Sequence, residues 1–323
     1  MTYKDHYDLI VIGSGPGGRR AAIQAAKFGK SVLVVESGNR VGGVSVHTGT
    51  IPSKTLRETS LNLSGWRERE FYGRSYRVKQ NITADDLKKR LHMTLDHEVE
   101  VLEHQFARNS VQTLQGMACF QDPYTLKVIL GEDEELVVSS DKFIIATGSK
   151  PYRPGFVPFD GVSIFDSDEI LNMKRAPKSI AVIGGGVIGV EYATIFSALD
   201  IPVTLIESRE TILDFVDQEI IATLLHELRD RGVVLRLGTA IQEITRVKNG
   251  RCKITLKSGR FVRSDMVLFA AGRYGTTGEL GLEDVGIVPD DRGRLSVDDK
   301  TFQTDVAHIY AVGDIIGFPS LAS

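Results

Sequence analysis

The sequence predicts an α/β protein of two Rossmann-like nucleotide-binding units, the second inserted in the first. Three observations predict it. A glycine turn in G-x-G-x-x-G spacing, Gly13, Gly15 and Gly18, joins a short apolar run to a helix near the N-terminus. The same pattern returns at a constant offset as Gly184, Gly186 and Gly189. Each turn is followed by a second apolar run that ends on an acid, Glu36 in the first unit and Glu207 in the second. One such turn is weak evidence. Strand, turn, helix, strand and acidic tip, present twice over, are strong evidence for two dinucleotide sites.

Taken in order, Leu9–Ile12 reads as the first strand. Gly13 permits the tight turn, Gly15 lets a pyrophosphate approach the backbone, and Gly18 lets the following helix pack closely on the strand. Ala21, Ala22, Ala25 and Ala26 keep that helix slim against a sheet, and Gly29 is placed to end it. The free N–H groups and the dipole of the helix N-terminus favour an anion there. The run Ser31–Val35 then delivers Glu36, whose carboxylate can accept both hydroxyls of an adenosine ribose. Val41–Lys54, VGGVSVHTGTIPSK, reads as a loop leading into a helix. Leu87, Leu91, Leu95, Val99, Leu102 and Phe106 at helical spacing predict a helix from Thr83 to Phe106, with His92, His97 and His104 on its solvated side.

From Met117 to Gly148 the period shortens, and four runs separated by Asp-Pro and Gly-Glu turns read as strands. The Pro-containing linker Lys150–Pro158 is the best domain boundary. Ser179–Glu207 then repeats the opening unit. An amphipathic helix over Asp217–Arg231 follows, with strands around Val233, Ile241, Ile254 and Phe261. Met266–Gly272, MVLFAAG, echoes Phe143–Gly148 and closes the insertion. A last strand, Ile309–Val312, ends at Gly313 and Asp314, and an acid at the end of a parallel strand faces the site side of such a sheet. The domains expected are therefore 1–150, 151–273 and a return to the first at 274–323.

Composition narrows the partners. With 42% apolar and 25% charged residues, a 323-residue chain is ordinary globular protein with room for two domains. A net charge of −3 gives no reason to expect nucleic acid or an anionic membrane surface. No stretch approaches the roughly 20 apolar residues of a membrane span, and the N-terminus has no signal-peptide core. Cys119 and Cys252 stand far apart in no motif spacing, which points to a reducing, cytoplasmic setting. No metal site is argued for.

Two glycine turns followed by Ala146-Thr147-Gly148 and Ala311–Asp314, in this arrangement, make the chain resemble the two-dinucleotide-binding-domain flavoprotein reductases, the family of glutathione reductase and dihydrolipoamide dehydrogenase. The resemblance covers nearly the whole chain. It implies FAD in the first site, held by Gly13, Gly15, Gly18, Glu36, Gly43, Thr147, Gly148 and Asp314. It implies NAD(P)H in the second, held by Gly184, Gly186, Gly189, Glu207, Arg209 and Gly272, with the nicotinamide stacked on one flavin face. It also implies a helix and a C-terminal interface domain beyond the point where this chain stops. On that reading the chain is a fragment, and the full-length protein is a homo-oligomer.

Most of that family carries a redox disulfide in the pattern G-G-x-C-x-x-x-x-C-I-P-S-K. Here the matching run places Ser45 and Thr50 at both cysteine positions, ahead of Ile51-Pro52-Ser53-Lys54. A hydroxyl forms no disulfide and does no thiolate exchange, which excludes disulfide reduction by this route. The segment GTIPSKTLRE, with VAHIYAVGD and IIGFPSLAS, is similar to a branch of the family that exchanges hydride between NADPH and NAD⁺. By that resemblance Lys54 lies beside the reactive edge of the flavin and Glu191 is its partner. Tyr192 reads as a packed helix aromatic. Two alternatives stay open on the sequence: a cysteine-free diaphorase passing electrons to quinones or oxygen, and a non-catalytic nucleotide-binding fragment.

Overall fold

The computed structural model describes residues 3–73, 75–132, 134–247 and 250–317. The chain divides by packing into two units, Met1–Thr50 with Leu95–Lys150 and Arg273–Ser323, and Ile51–Thr94 with Pro151–Gly272. Six helices matter here: α1 (Pro16–Lys27), α2 (Gly43–His47), α3 (Thr50–Ser64), α4 (Ala84–Arg108), α5 (Val187–Ala198) and α6 (Gln218–Asp230).

In the first unit a five-stranded parallel sheet runs in the order Ile309–Ala311, Phe143–Ile145, Leu9–Ile12, Val32–Glu36, Gln112–Gln115. Leu9–Ile12 is buried at every position, as a central parallel strand covered on both faces must be. A second sheet pairs Met117–Asp122, Thr125–Ile129 and Glu135–Ser140 antiparallel, with His6–Tyr7 added in parallel. Ile10, Leu33, Phe120, Leu126, Phe143 and Ile309 belong to one buried core. Within it, Phe120 and Phe143 meet edge to face at 5.1 Å.

α1 starts on Pro16, whose missing N–H costs nothing in a first turn. Gly29, in the left-handed region at φ +76°, follows its last residues. α4 opens on a reciprocal cap: the Asp86 N–H donates to Thr83 Oγ1 at 3.3 Å, and the Thr83 N–H donates to the Asp86 carboxylate at 2.9 Å. Its predicted apolar stripe is buried at Leu87, Leu91, Val99, Leu102 and Phe106, while His92, His97 and His104 are exposed.

The second unit repeats the plan. Its parallel sheet runs Ile164–Asp166, Met266–Phe269, Ile180–Ile183, Val203–Ile206, Val234–Arg236. A three-stranded antiparallel sheet, Ile241–Arg246, Cys252–Leu256 and Phe261–Ser264, packs Ile244, Cys252 and Ile254 into a core with Ile183 and Phe269. α6 is capped by Asp217, which accepts the Glu219 N–H at 2.9 Å.

Three details differ from the sequence reading. Val41–Lys54 is not a plain loop, because it contains α2, and α3 already begins at Thr50, two residues ahead of Pro52. Gln112–Gln115 adds an edge strand where no apolar alternation announces one, since only Leu114 of the four is buried. The strand before Glu36 includes that residue. Part of the segment IIGFPSLAS, from Phe318 to Ser323, lies outside the described residues.

Candidate functional site

The two glycine turns are built alike down to single contacts. Gly13 has φ +102° and Gly184 φ +110°, values that favour glycine. A Cβ on Gly18 would stand 2.2 Å from the Gly13 carbonyl oxygen, and one on Gly189 would stand 1.9 Å from that of Gly184. A side chain on either would drive the helix off its strand. The middle glycines differ in kind. A Cβ on Gly15 or Gly186 would meet nothing within 4 Å. Both are N-caps, of α1 and α5, and neither helix start has a side-chain cap. Each turn thus offers uncapped N–H groups beneath open space, which fits the pyrophosphate of a dinucleotide.

The acidic tips diverge. Glu36 accepts from the Ser14 N–H at 2.9 Å and Oγ–H at 2.5 Å, and from the Gly38 N–H at 2.8 Å. Ser14 Oγ in turn accepts the Gly42 N–H at 2.7 Å. Gly43 opens α2 against the first turn, where an added Cβ would lie 2.9 Å from the Gly15 Cα. Glu36, Ser14 and the α2 entry therefore form one frame, with Glu36 only partly buried.

Glu207 is 5% exposed and takes five donors: the N–H groups of Gly185 and Arg209, the Ser208 hydroxyl, and Nε and Nη2 of Arg209. Burial is the largest influence on its carboxyl and pushes upward. The Arg209 and Gly185 hydrogen bonds and the Arg209 charge outweigh it and hold the group at about 2. Arg209 also donates to Asp214 at 2.5 Å, and these two carboxylates raise its guanidinium against the opposing effect of burial. With both oxygens engaged, the ribose hydroxyls expected at Glu207 have to displace Arg209. Gly272, at φ +118°, gives its carbonyl to the Tyr152 N–H.

Lys54 on α3 donates to Glu191 on α5 at 2.5 Å, the lysine side chain 64% and the glutamate 16% exposed. Tyr192 is buried with its ring 6.3 Å from Phe196, and its hydroxyl has no hydrogen-bond partner among the described residues. In the first unit Thr147 Oγ1 donates to the Thr276 carbonyl at 2.8 Å. Asp314 accepts from Ser149 Oγ at 3.0 Å, and Arg273 donates to that same Oγ at 2.9 Å and to the Ser149 carbonyl at 2.6 Å. Ser14, Ser149, Arg273 and Asp214 are absent from the sequence reading. Only Ser14 left a signal, because it lies inside the first repeat at the position of Gly185.

A family model for pyridine nucleotide-disulphide oxidoreductases matches residues 7–323. The chain belongs to this family. A soluble pyridine nucleotide transhydrogenase of Mycobacterium tuberculosis is 50% identical over 98% of the chain and 68% of its own length. One from Vibrio parahaemolyticus is 41% identical over 100% of the chain and 69% of its own length. Among solved structures, a Cu(II) complex of the HOCl-induced flavoprotein disulfide reductase RclA from Escherichia coli superposes with a TM-score of 0.86. It is 26% identical and is matched over 99% of this chain and 68% of its own. The chain thus spans about two thirds of the length of these relatives. Ser45 and Thr50, two hydroxyl residues of the run Gly42–Lys54, lie in α2 and at the start of α3. Ser45 Oγ donates to the Gly42 carbonyl at 3.3 Å.

Proposed function

We propose that the protein transfers hydride between NADPH and NAD⁺ through bound FAD, as a transhydrogenase without a redox dithiol. The observation that carries this reading is the pair of equivalent glycine turns, each with its own acidic tip, in a chain whose Ser45 and Thr50 can pass no electrons onward. When bound, FAD supplies the two-electron chemistry, and the protein supplies position and electrostatics.

In the first unit the uncapped start of α1 holds the pyrophosphate, Gly15 and Gly43 leave room for it, and Glu36 fixes the adenosine ribose. Thr147, Gly148 and Asp314 line the flavin side, with Ser149 and Arg273 orienting Asp314. In the second unit the start of α5, with Gly184, Gly186, Gly189 and Gly272, holds the pyridine nucleotide. Lys54, oriented by Glu191, brings an ammonium that stabilises negative charge on the reduced cofactor.

Use of one site by both nucleotides requires a group that can change partners. Glu207 serves NADH by accepting the ribose hydroxyls once Arg209 swings out. Arg209 serves NADPH by donating to the 2′-phosphate with charge-assisted bonds. The full-length protein works in the cytoplasm as a homo-oligomer, where both nucleotides are available and Cys119 and Cys252 stay reduced.

The test is direct. The purified full-length protein should be yellow and should reduce a thio-analogue of NAD⁺ with NADPH. NADPH oxidation that proceeds only with quinones or oxygen would overturn the assignment, as would absence of any flavin uptake.

A further inference from the structure

The flank of α1, from Arg19 just past the first glycine turn to Lys27, and the last turn of α4 with Asn109 line a cavity of about 500 Å³. Arg19, Arg20 and Lys27 line it from α1 and Arg108 from α4, and no carboxylate does. Gln24 and Gln105 add amides, and Ile23 is the one aliphatic side chain in the lining. Arg19, Ile23 and Lys27 stand four residues apart along one helix face, so their convergence follows from the period of the helix.

The charge in this cavity is relieved only in part, by Glu98 acting on Arg19. Arg69, Arg77, Arg153, Arg175 and Arg209 each reach a carboxylate within ion-pair distance. Among the described residues, Arg19, Arg20, Lys27 and Arg108 have no ion-pair partner. Burial, and then the neighbouring charge of Arg20, push the Arg19 guanidinium below its ordinary value, and Glu98 opposes them only in part. Arg19 and Arg20 also occupy the fourth and fifth positions of α1, which starts at Pro16. Two guanidinium charges on adjacent residues repel each other. A chain of net charge −3 has gathered four cations against electrostatic preference.

A compact anion with several charges resolves this arrangement. Three guanidinium forks match phosphate oxygens geometrically, and an ammonium adds a point charge. The volume lies within the range of small-molecule sites. A lining with one aliphatic and no aromatic residue recognises the phosphates rather than a ring or a hydrocarbon. We propose that this cavity is a second anion site, separate from the glycine turns, and that it takes a chain of linked phosphates, either inorganic or that of a nucleotide. Its occupant bridges α1 to α4 within the first unit.

Calorimetric titration of the purified protein with tripolyphosphate, with ATP and with sulfate tests it, each with and without saturating FAD. Tripolyphosphate should bind one to one, more tightly than sulfate, with affinity falling as salt rises. FAD should leave the isotherm unchanged, which separates this site from the pyrophosphate cradle of α1. ATP binding more tightly than tripolyphosphate supports a nucleotide as the occupant, and equal or weaker binding supports the inorganic chain. Arg19→Gln combined with Arg108→Gln should weaken tripolyphosphate at least tenfold, and Lys27→Gln alone several-fold. Lack of saturable binding, loss of binding when FAD is added, or indifference to these substitutions would overturn the proposal. If the double variant fails to fold, the FAD arm on the native chain and Lys27→Gln still decide. Failure of FAD to bind would sink the transhydrogenase reading but leave the tripolyphosphate isotherm in place.

Discussion

Glu207→Gln should lower stability at neutral pH and make the loss disappear in acid. The native carboxylate is nearly inaccessible and holds five donors. A glutamine of the same size must turn an NH₂ toward some of them and removes one of the two carboxylates on Arg209, leaving Asp214. A carboxyl held at about 2 rather than its usual 4.5 contributes on the order of 3 kcal/mol to folding above both values. Arg209 is 43% exposed, so solvent screening reduces its share and about 2 kcal/mol is expected. At roughly 2 °C per kcal/mol for a chain of this size, Tm should fall by about 4 °C.

The sign follows from the depressed value. The contribution is complete above pH 4.5 and drains away as pH falls from there towards 2. Thermal unfolding of both proteins across pH 2.5–7 should therefore give a Tm difference that is constant at the neutral end and shrinks on acidification, roughly over the range set by the two carboxyl values. A difference that is flat with pH, or that widens in acid, would refute the view that Arg209 and the Gly185 N–H hold this carboxylate charged.

Other substitutions probe the remaining parts. Gly18→Ala should abolish FAD uptake or soluble expression, because its Cβ would sit 2.2 Å from the Gly13 carbonyl oxygen; an alanine variant with a normal flavin spectrum contradicts the close packing of α1. Lys54→Met should change stability by less than about 1 kcal/mol, since the lysine end of its ion pair is exposed and solvent screens the pair. It should nonetheless slow flavin reduction by NADPH about tenfold or more, equivalent to about 1.4 kcal/mol in the barrier, and an unchanged rate in rapid mixing removes Lys54 from the chemistry. Arg209→Ala should weaken NADPH about tenfold, again about 1.4 kcal/mol, and leave NADH equal or tighter, because Glu207 is then released for the ribose. Equal losses for both nucleotides would place the discrimination elsewhere.

What the sequence made legible was everything with a short-range cause. Gly13 and Gly18 declare a turn and a close helix–strand contact within six residues; the strand leading to Glu36 is an uninterrupted apolar run, and the one leading to Glu207 is broken only at Thr204. The edge strand Gln112–Gln115 carries one buried residue and is held by pairing with Val32–Glu36, a contact made 79 residues away in sequence at Leu33 and Gln112. The link from Asp314 through Ser149 to Arg273 likewise joins residues 165 and 124 positions apart, and nothing local marks those side chains. Arg209 shows the opposite limit. The motif brings it near a phosphate, but its resting partners are the acid two residues back and Asp214 five residues on. Proximity was readable, and the competition for the guanidinium was not.

The serine and threonine in place of a redox pair also set how the protein meets chemical attack. Trivalent arsenicals inhibit by clamping two neighbouring thiols, and Ser45 and Thr50 offer none. Of the two cysteines, Cys252 is fully buried, and burial together with the nearby Asp160 pushes its thiol to about 11. At neutral pH Cys252 is therefore held as the thiol, not the thiolate that alkylating agents and peroxides attack. Cys119 is half-buried, with its Sγ toward the Phe120 carbonyl. Where a dithiol would stand, this chain holds two hydroxyls, so a reagent that needs two neighbouring thiols finds none at Ser45 and Thr50.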